Sequence, residues 1–455
     1  MTLALEQLRH ALEGLIPTAM ATASAAGTPN VTYLSHVEYL DCRRVALSCQ
    51  FFNKTRRNVA ENPYACVFLH DPSTLQAYRM RLVFDHAETA GPLFDRMTAR
   101  IEAIASHTGM SGTFKLLSAD VYAVEEIEQI DGFLAPADGA PAALEPPSHG
   151  GELEGLHRIA ECVARAEELE SLLRDVLEAM ARSFGFEHSM LLVPDESGQR
   201  LYTLASRGYG ESGVGSEVNL GEGLIGAVAQ QKVTLRLSAV TGDLRYGRAI
   251  RERAHERGAA RAVPEVPLPG LPDAQSQLAL SLLARDQLIG VLAVESRAPL
   301  YFDEWHEAVL RIIGNQIALG IQTMQRRDDG ADEPSPHAAL PPRRAAGERR
   351  LRRFRFYAAD DCVFVDDEYL VRNLPGRILW KILRTFVASG RTEFSNRELR
   401  LDESLGLPGL KDNLESRLIL LRKRLEERCV DVRLVRTGRG RFALDLDCEL
   451  TLDEG

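Results

Sequence analysis

The chain has 455 residues, room for about three domains of ordinary size, and a hydrophobic fraction of 45% is enough for several cores. A net charge of −11 argues against a polyanionic partner only until it is divided: residues 343–455 carry 24 Lys and Arg against 20 Asp and Glu (+4), which leaves 30 against 45 (−15) for the rest. No apolar run reaches about 18 residues, Glu6, Arg9 and Glu13 break up the start, and seven scattered cysteines form no CxxC pair; the expectation is a cytoplasmic chain with no membrane span, signal peptide, metal cluster or disulfide frame.

The first domain is expected over residues 1–131. A short amphipathic helix, Leu3 to Leu15, precedes strand-like runs (TAMATAS, VTYLSHVEYL, VALSCQFF, YACVFLHD, YRMRLVFDHAETAG) broken by turns at 25–30 and 41–44. Many short strands at regular spacing predict a small barrel. Between VALSCQFF and YACVFLHD lie the polar stretch Asn53–Asn58 and a helical step, Val59–Pro63. The opening IPTAMATASAAGTPNVTYLSHV and the later CQFFNKTRRNVAENPYACVFL resemble the pyridoxamine 5'-phosphate oxidase-like FMN-binding split barrel. That resemblance implies that Lys54, Thr55, Arg56 and Arg57 hold a flavin phosphate. It also implies that Ser48 and Gln50, on the preceding strand, approach the isoalloxazine ring. Cationic side chains, a hydroxyl and a helix N-terminus together suit a dianionic phosphate. Vitamin-B6 oxidase activity is not expected, because the barrel leads straight into the Pro/Gly/Ala-rich residues 132–152, a linker by composition.

Residues 153–327 open with a predicted long helix carrying Leu156, Ile159, Val163, Leu169, Leu172, Leu173, Val176, Leu177 and Met180 at helical spacing. Strands MLLVPD and LYTLASRG follow, then the loop and short helix GEGLIGAVA. The hairpin LALSLLARDQLIGVLAVES turns near Arg285-Asp286, and a last helix runs from about Asp303 to Arg327. GEGLIGAVAQ, Gly242–Tyr246 and IGVLAVES before PLYFDEWHEAVLRIIGNQIALGI resemble a GAF domain, which implies a small-molecule sensor or a dimerisation unit of α/β fold. Its pocket would lie between the sheet and residues 235–272, where the basic run from Arg245 to Arg261 either receives an anion or forms an exposed charged helix. No catalytic set of side chains stands out.

After a second linker, 328–348, the tail 349–455 carries the remaining signal. Leu414, Leu418, Leu421 and Leu425 mark one buried helix face, and Arg417, Arg422, Lys423, Arg424 and Arg428 predict a basic uncovered face. Val432 to Leu446 alternates around Thr437–Arg441, two strands joined by a Gly-rich basic turn. LILLRKRLEE followed by VRLVRTGRGRFALDL resembles the winged-helix DNA-binding domain of OmpR-like response regulators. Leu374–Leu383 resembles its first helix, Ser395–Leu399 the cap and start of its second, and residues 351–370 its preceding small sheet. The resemblance implies that Arg417, Arg422, Lys423 and Arg424 meet the groove and its phosphates, and that Arg439 and Arg441 meet the flanking backbone or minor groove.

The sequence therefore predicts a multidomain chain: a split β-barrel, then an α/β GAF domain, then a winged helix. The function expected is a one-component transcriptional regulator, a homodimer that binds double-stranded DNA and a small-molecule effector, with FMN as a candidate cofactor and no metal. A flavin-dependent oxidoreductase with regulatory GAF and winged-helix domains is the alternative.

Overall fold

The computed structural model describes residues 3–13, 18–50, 53–71, 76–107, 115–130, 151–210, 213–237, 270–330, 350–405, 414–438 and 440–454. In the N-terminal unit a 3-10 turn, Leu5–Leu8, leads into α1 (Arg9–Glu13), where the sequence predicted one longer helix. Strands β1 (Thr18–Ala23), β2 (Pro29–Leu34), β3 (Val37–Asp41), β4 (Arg44–Cys49), β5 (Tyr64–His70), β6 (Ala77–Glu88) and β7 (Ser118–Ile130) form a seven-stranded sheet in the order β2-β1-β5-β6-β7-β4-β3. Every pairing is antiparallel. One face buries Met20, Val45, Leu47, Val67, Met80, Leu82 and Tyr122 with Leu5, Leu8 and Leu12. On the other face α3 (Pro92–His107) sets Leu93, Met97 and Ile101 over Ala46, Ala119 and Val121. β4 is thus buried on both sides, which explains its unbroken apolar run. α2 (Asn53–Glu61) starts earlier than predicted, so the basic stretch lies inside a helix and not in a loop before one.

The middle unit opens with two helices, α4 (Glu152–Arg165) and α5 (Leu169–Phe184), where the sequence predicted one. The chain turns extended at Ala166 (φ −65°, ψ 124°) and at Glu168 (φ −133°, ψ 142°). Strands β8 (His188–Pro194), β9 (Arg200–Arg207), β10 (Glu217–Asn219), β11 (Thr234–Leu237), β12 (Ser276–Ala284) and β13 (Gln287–Ser296) form an antiparallel sheet ordered β10-β9-β8-β13-β12-β11. The β12–β13 turn places Arg285 and Asp286 at φ 48° and 63°, the twist a two-residue hairpin needs. One sheet face packs against α4, α5 and α7 (Glu304–Gly330). The other is covered by α6 (Gly223–Gln231) and by α3 of the N-terminal unit, whose Ala99 and Ala103 are fully buried there.

The C-terminal unit begins with β14 (Arg350–Tyr357), β15 (Cys362–Val365) and β16 (Glu368–Val371). Helix α8 (Asn373–Ser389), strand β17 (Glu393–Ser395), helix α9 (Asn396–Leu401), a 3-10 turn (Glu403–Leu405), helix α10 (Leu414–Arg428) and the hairpin β18 (Val432–Gly438) and β19 (Arg441–Leu446) follow. Ser395 caps α9, its Oγ accepting from the Glu398 N–H at 3.2 Å. Strand β20 (Cys448–Glu454), absent from the sequence reading, pairs in parallel with β14 and completes the sheet β16-β15-β14-β20. A core from Phe354 to Cys448, including Leu374, Ile378, Leu379, Leu414, Leu421 and Leu425, belongs to this unit alone. Among the described residues no helix is long and apolar enough to cross a membrane.

Gly226 shows why α6 begins where it does. A Cβ there would lie 2.2 Å from the Asn219 carbonyl oxygen, at the end of β10. Gly226→Ala should therefore push α6 off the sheet; a cost of about 2 kcal/mol would lower Tm by about 4–8 °C. An unchanged Tm in calorimetry would show that α6 can shift freely.

Candidate functional sites

The barrel site is built by packing α2 onto the β1–β2 hairpin. Asn58 Nδ2 donates to Thr22 Oγ1 at 3.2 Å, and Asn62 Nδ2 donates to the Ala23 carbonyl at 3.3 Å. The Asn-x-x-x-Asn spacing is one helical turn, so both amides reach the same strand. Thr55 is buried, with its Oγ1 accepting from Asn30 Nδ2 at 2.9 Å. Lys54, Arg56 and Arg57 are exposed on the same helix. Ser48 and Gln50 lie at the buried end of β4: Ser48 Oγ accepts from the His36 N–H at 3.1 Å and Gln50 Oε1 accepts from Ser35 Oγ at 2.7 Å. Gln50 Nε2 is buried without a hydrogen-bond partner among the described residues. The structure therefore makes two groups of the six predicted residues, a buried polar pair on β4 and a cationic helix start, with no hydrogen bond between them among the described residues.

His36 and Glu38 beside this site escaped the sequence reading. The His36 ring contacts Glu38 Oε2 at 2.7 Å, and Arg96 Nε donates to Glu38 Oε1 at 2.8 Å. Burial, aided by the positive charge of Arg100 and Arg96, lowers His36 to about 4 against the pull of Glu38. Burial alone would raise Glu38, but the His36 hydrogen bond and the two arginines hold it well below the usual carboxylate range. His36 is neutral at pH 7, so the charges that act on Glu38 there are the arginines'.

The C-terminal basic helix is placed differently from expectation. Arg417 and Arg424 are buried, with side chains 3% and 4% exposed. Arg417 lies over the Tyr202 ring at 4.7 Å, donates to the Pro194 carbonyl at 3.2 Å and faces Glu196 at 3.8 Å. Arg424 donates to the Leu370 carbonyl at 3.0 Å and to Glu427 at 3.0 Å. Arg422 pairs with Glu170 at 3.4 Å, and Lys423 lines a cleft with Glu170 and Glu178. The predicted uncovered face is thus covered over Arg417 to Arg424, with Arg428 still exposed, because Ile419 and Leu420 beside those cations join the core of the middle unit. Arg441 is exposed on β19, and Arg439 lies outside the described residues. Most of the predicted GAF pocket wall, Arg245 to Arg261 included, also lies outside them.

Contacts that sequence reasoning missed complete this junction. Ser416 Oγ and Tyr202 Oη are 2.7 Å apart, Arg372 pairs with Glu217 at 2.5 Å, and Arg436 pairs with Glu168 at 3.1 Å. One signal was available: Leu418-Ile419-Leu420-Leu421 is apolar around more of the helix than one core needs.

A six-stranded antiparallel sheet with α4, α5 and α7 on one face and α6 on the other decides the middle unit. Residues 166–322 match the GAF domain family. Residues 4–128 match the family described as pyridoxamine 5'-phosphate oxidase; neither match extends past residue 322. No curated protein matches the chain. Among solved structures, the GAF domain of an Acinetobacter phosphoenolpyruvate-protein phosphotransferase is 21% identical, covers 40% of this chain and 99% of its own, and has a TM-score of 0.31. The GAF domain of the Coxiella burnetii phosphoenolpyruvate-protein phosphotransferase is 20% identical over 39% of this chain and 97% of its own, TM-score 0.30. An FMN-binding protein from Syntrophomonas wolfei is 18% identical over 28% of this chain and 89% of its own, TM-score 0.24.

The pKa shifts at the barrel site predict an acid response. His36 is lowered from 6.5 to about 4, so the unfolded chain binds more protons than the folded one between those values. Stability therefore falls as pH drops from 6.5 toward 4, by up to about 3 kcal/mol from this residue. The depressed Glu38 adds to the loss below its unfolded pKa of about 4.5. His36→Gln should flatten the Tm profile between pH 6.5 and 4; an unaltered slope would show that His36 is already solvated.

Proposed function

We propose that the chain is a one-component, DNA-binding transcriptional regulator acting in the cytoplasm. The flavin-type barrel and the GAF domain sense a small molecule or redox state, and the C-terminal unit is a winged helix that binds double-stranded DNA. The observation that carries this reading is the order of the C-terminal unit: a small sheet, α8, β17, α9, α10 and a basic-tipped hairpin around a core of its own. Such a unit presents one helix and one hairpin to a groove and its flanking backbone. Ser395 capping α9 and Arg441 exposed at the hairpin agree with it. On this reading Arg417, Arg422, Lys423 and Arg424 meet the duplex with Arg439 and Arg441 beside them, once their present partners are released. The apolar Leu153, Ile312 and Leu319, exposed on α4 and α7, favour a homodimer through those helices, which would bring two half-sites together.

FMN is the proposed cofactor of the barrel. Gln50 Nε2, without a hydrogen-bond partner among the described residues, the buried hydroxyls of Ser48 and Thr55 and the exposed Lys54, Arg56 and Arg57 suit a ring that accepts hydrogen bonds and a phosphate that accepts charge. Bound flavin would supply redox chemistry; these residues would bind and orient it.

Two measurements test the reading. Full-length protein should bind duplex DNA with an affinity that falls steeply with salt, and Arg441→Ala should reduce the salt slope by about one. Binding that ignores salt and the substitution would sink DNA recognition. Native mass spectrometry of freshly purified protein should show two subunits with flavin, and Gln50→Ala with Arg56→Ala should lower flavin occupancy at least about tenfold. Equal occupancy in the double variant would place the cofactor elsewhere.

A further inference from the structure

Helix α10 has two faces, and both are in use. Leu414, Leu418, Leu421 and Leu425 belong to the core of the C-terminal unit, and the opposite side lies against the GAF domain. A duplex reading α10 must approach the side its own core leaves free, which is the side now occupied. Resting on the DNA-binding reading above, we propose that the docking of α10 on the GAF domain is an autoinhibitory contact. This arrangement is the closed state of the regulator, and the GAF domain competes with DNA for one set of side chains.

The chemistry of the junction is that of a displaceable mimic. Arg417 and Arg422 face carboxylates of the GAF domain, Glu196 at 3.8 Å and Glu170 at 3.4 Å, and Arg372 of the same unit pairs with Glu217 at 2.5 Å. A guanidinium binds carboxylate and phosphate through the same planar donors, so each acid holds a place that a DNA phosphate can take. The GAF surface is shaped for the helix: a Cβ on Gly215 would lie 3.0 Å from Leu420. Beyond Ile419 and Leu420 the contact is largely polar, whereas each unit keeps an apolar core of its own. Removing one partner of such a pair leaves the other charge uncompensated, whereas a phosphate in place of the carboxylate keeps the guanidinium paired. A polyanion, or a ligand that binds the open form better, therefore shifts this equilibrium, at the cost of uncovering Ile419 and Leu420.

The test uses full-length protein, wild type and Glu170→Gln/Glu217→Gln. Both substitutions lie in the GAF domain and leave every side chain of the C-terminal unit unchanged. Hydrogen exchange of the amides of residues 416–424 reports docking, and fluorescence anisotropy with a mixed-sequence duplex of about 30 base pairs reports DNA binding. The expected result is faster exchange in α10 and affinity for the duplex at least about tenfold tighter in the variant. Freed α10 amides with equal, measurable affinity in both proteins would overturn autoinhibition and leave DNA binding standing. Freed amides with no binding by either protein would overturn the DNA-binding reading itself. Protection that survives the substitutions would also overturn the proposal, because the Arg422 and Arg372 ion pairs that phosphates are to replace would then contribute nothing to docking.

Discussion

The six-stranded GAF sheet is the surface on which the rest of the molecule depends, because both of its faces are buried and each neighbouring unit covers part of one. On one side Ala99 and Ala103 of the barrel's α3 sit on the layer formed by α6 and the sheet. On the other, Ile419 and Leu420 of α10 reach the cluster formed by the sheet with α4, α5 and α7. A sheet of this kind must cover its apolar surface, and here the covering is shared between three units. The barrel, the GAF domain and the basic helix are therefore packed through continuous cores, not merely joined in sequence.

The two junctions differ in kind. Small side chains let α3 lie close to α6, with Glu102 hydrogen-bonded to Gln231 across that contact; elsewhere between the two units Arg100 donates to the Arg236 carbonyl at 3.2 Å, and Arg9 pairs with Glu304. Close packing of this sort transmits displacement, since an interior at crystal-like density does not absorb a shift. The α10 junction is richer in charge and hydrogen bonds, with Tyr202 placed to meet both Ser416 and Arg417. Tyr202 stands on β9, next to β10 and its Glu217, so a change in the GAF sheet reaches the basic helix through adjacent strands.

Much of the fold was legible from local pattern. Nearly continuous apolar runs about a turn at Arg285-Asp286 placed β12 and β13, and the Ser395 cap placed α9. What the sequence concealed was set by tertiary contact. The break between α4 and α5 falls in Ala166-Glu167-Glu168, residues that favour helix, so no local signal marked it. α3 carries Leu93, Met97 and Ile101 at a spacing of four, a pattern visible in the sequence but passed over between two strands. The six barrel residues fall into two groups, at the end of β4 and at the start of α2, and the His36–Glu38–Arg96 cluster beside Ser48 joins the β3 side to α3 and has no signature in a linear reading. The arginines of α10 read in sequence as an uncovered basic face; Arg417 and Arg422 instead meet Glu196 and Glu170, far earlier in the chain, and Arg424 meets Leu370 and Glu427 of its own unit.

The parallel pairing of β14 with β20 has a kinetic consequence. Arg350 lies opposite Cys448, residues about 100 positions apart, so this edge of the sheet closes only after the helices and hairpin between them have collapsed. Loop-closure entropy makes such a pairing late, and β14 meanwhile presents an unpaired edge. Arg350, Arg352, Arg353 and Arg355, crowded along that strand, supply the repulsion that keeps two such edges from meeting during assembly.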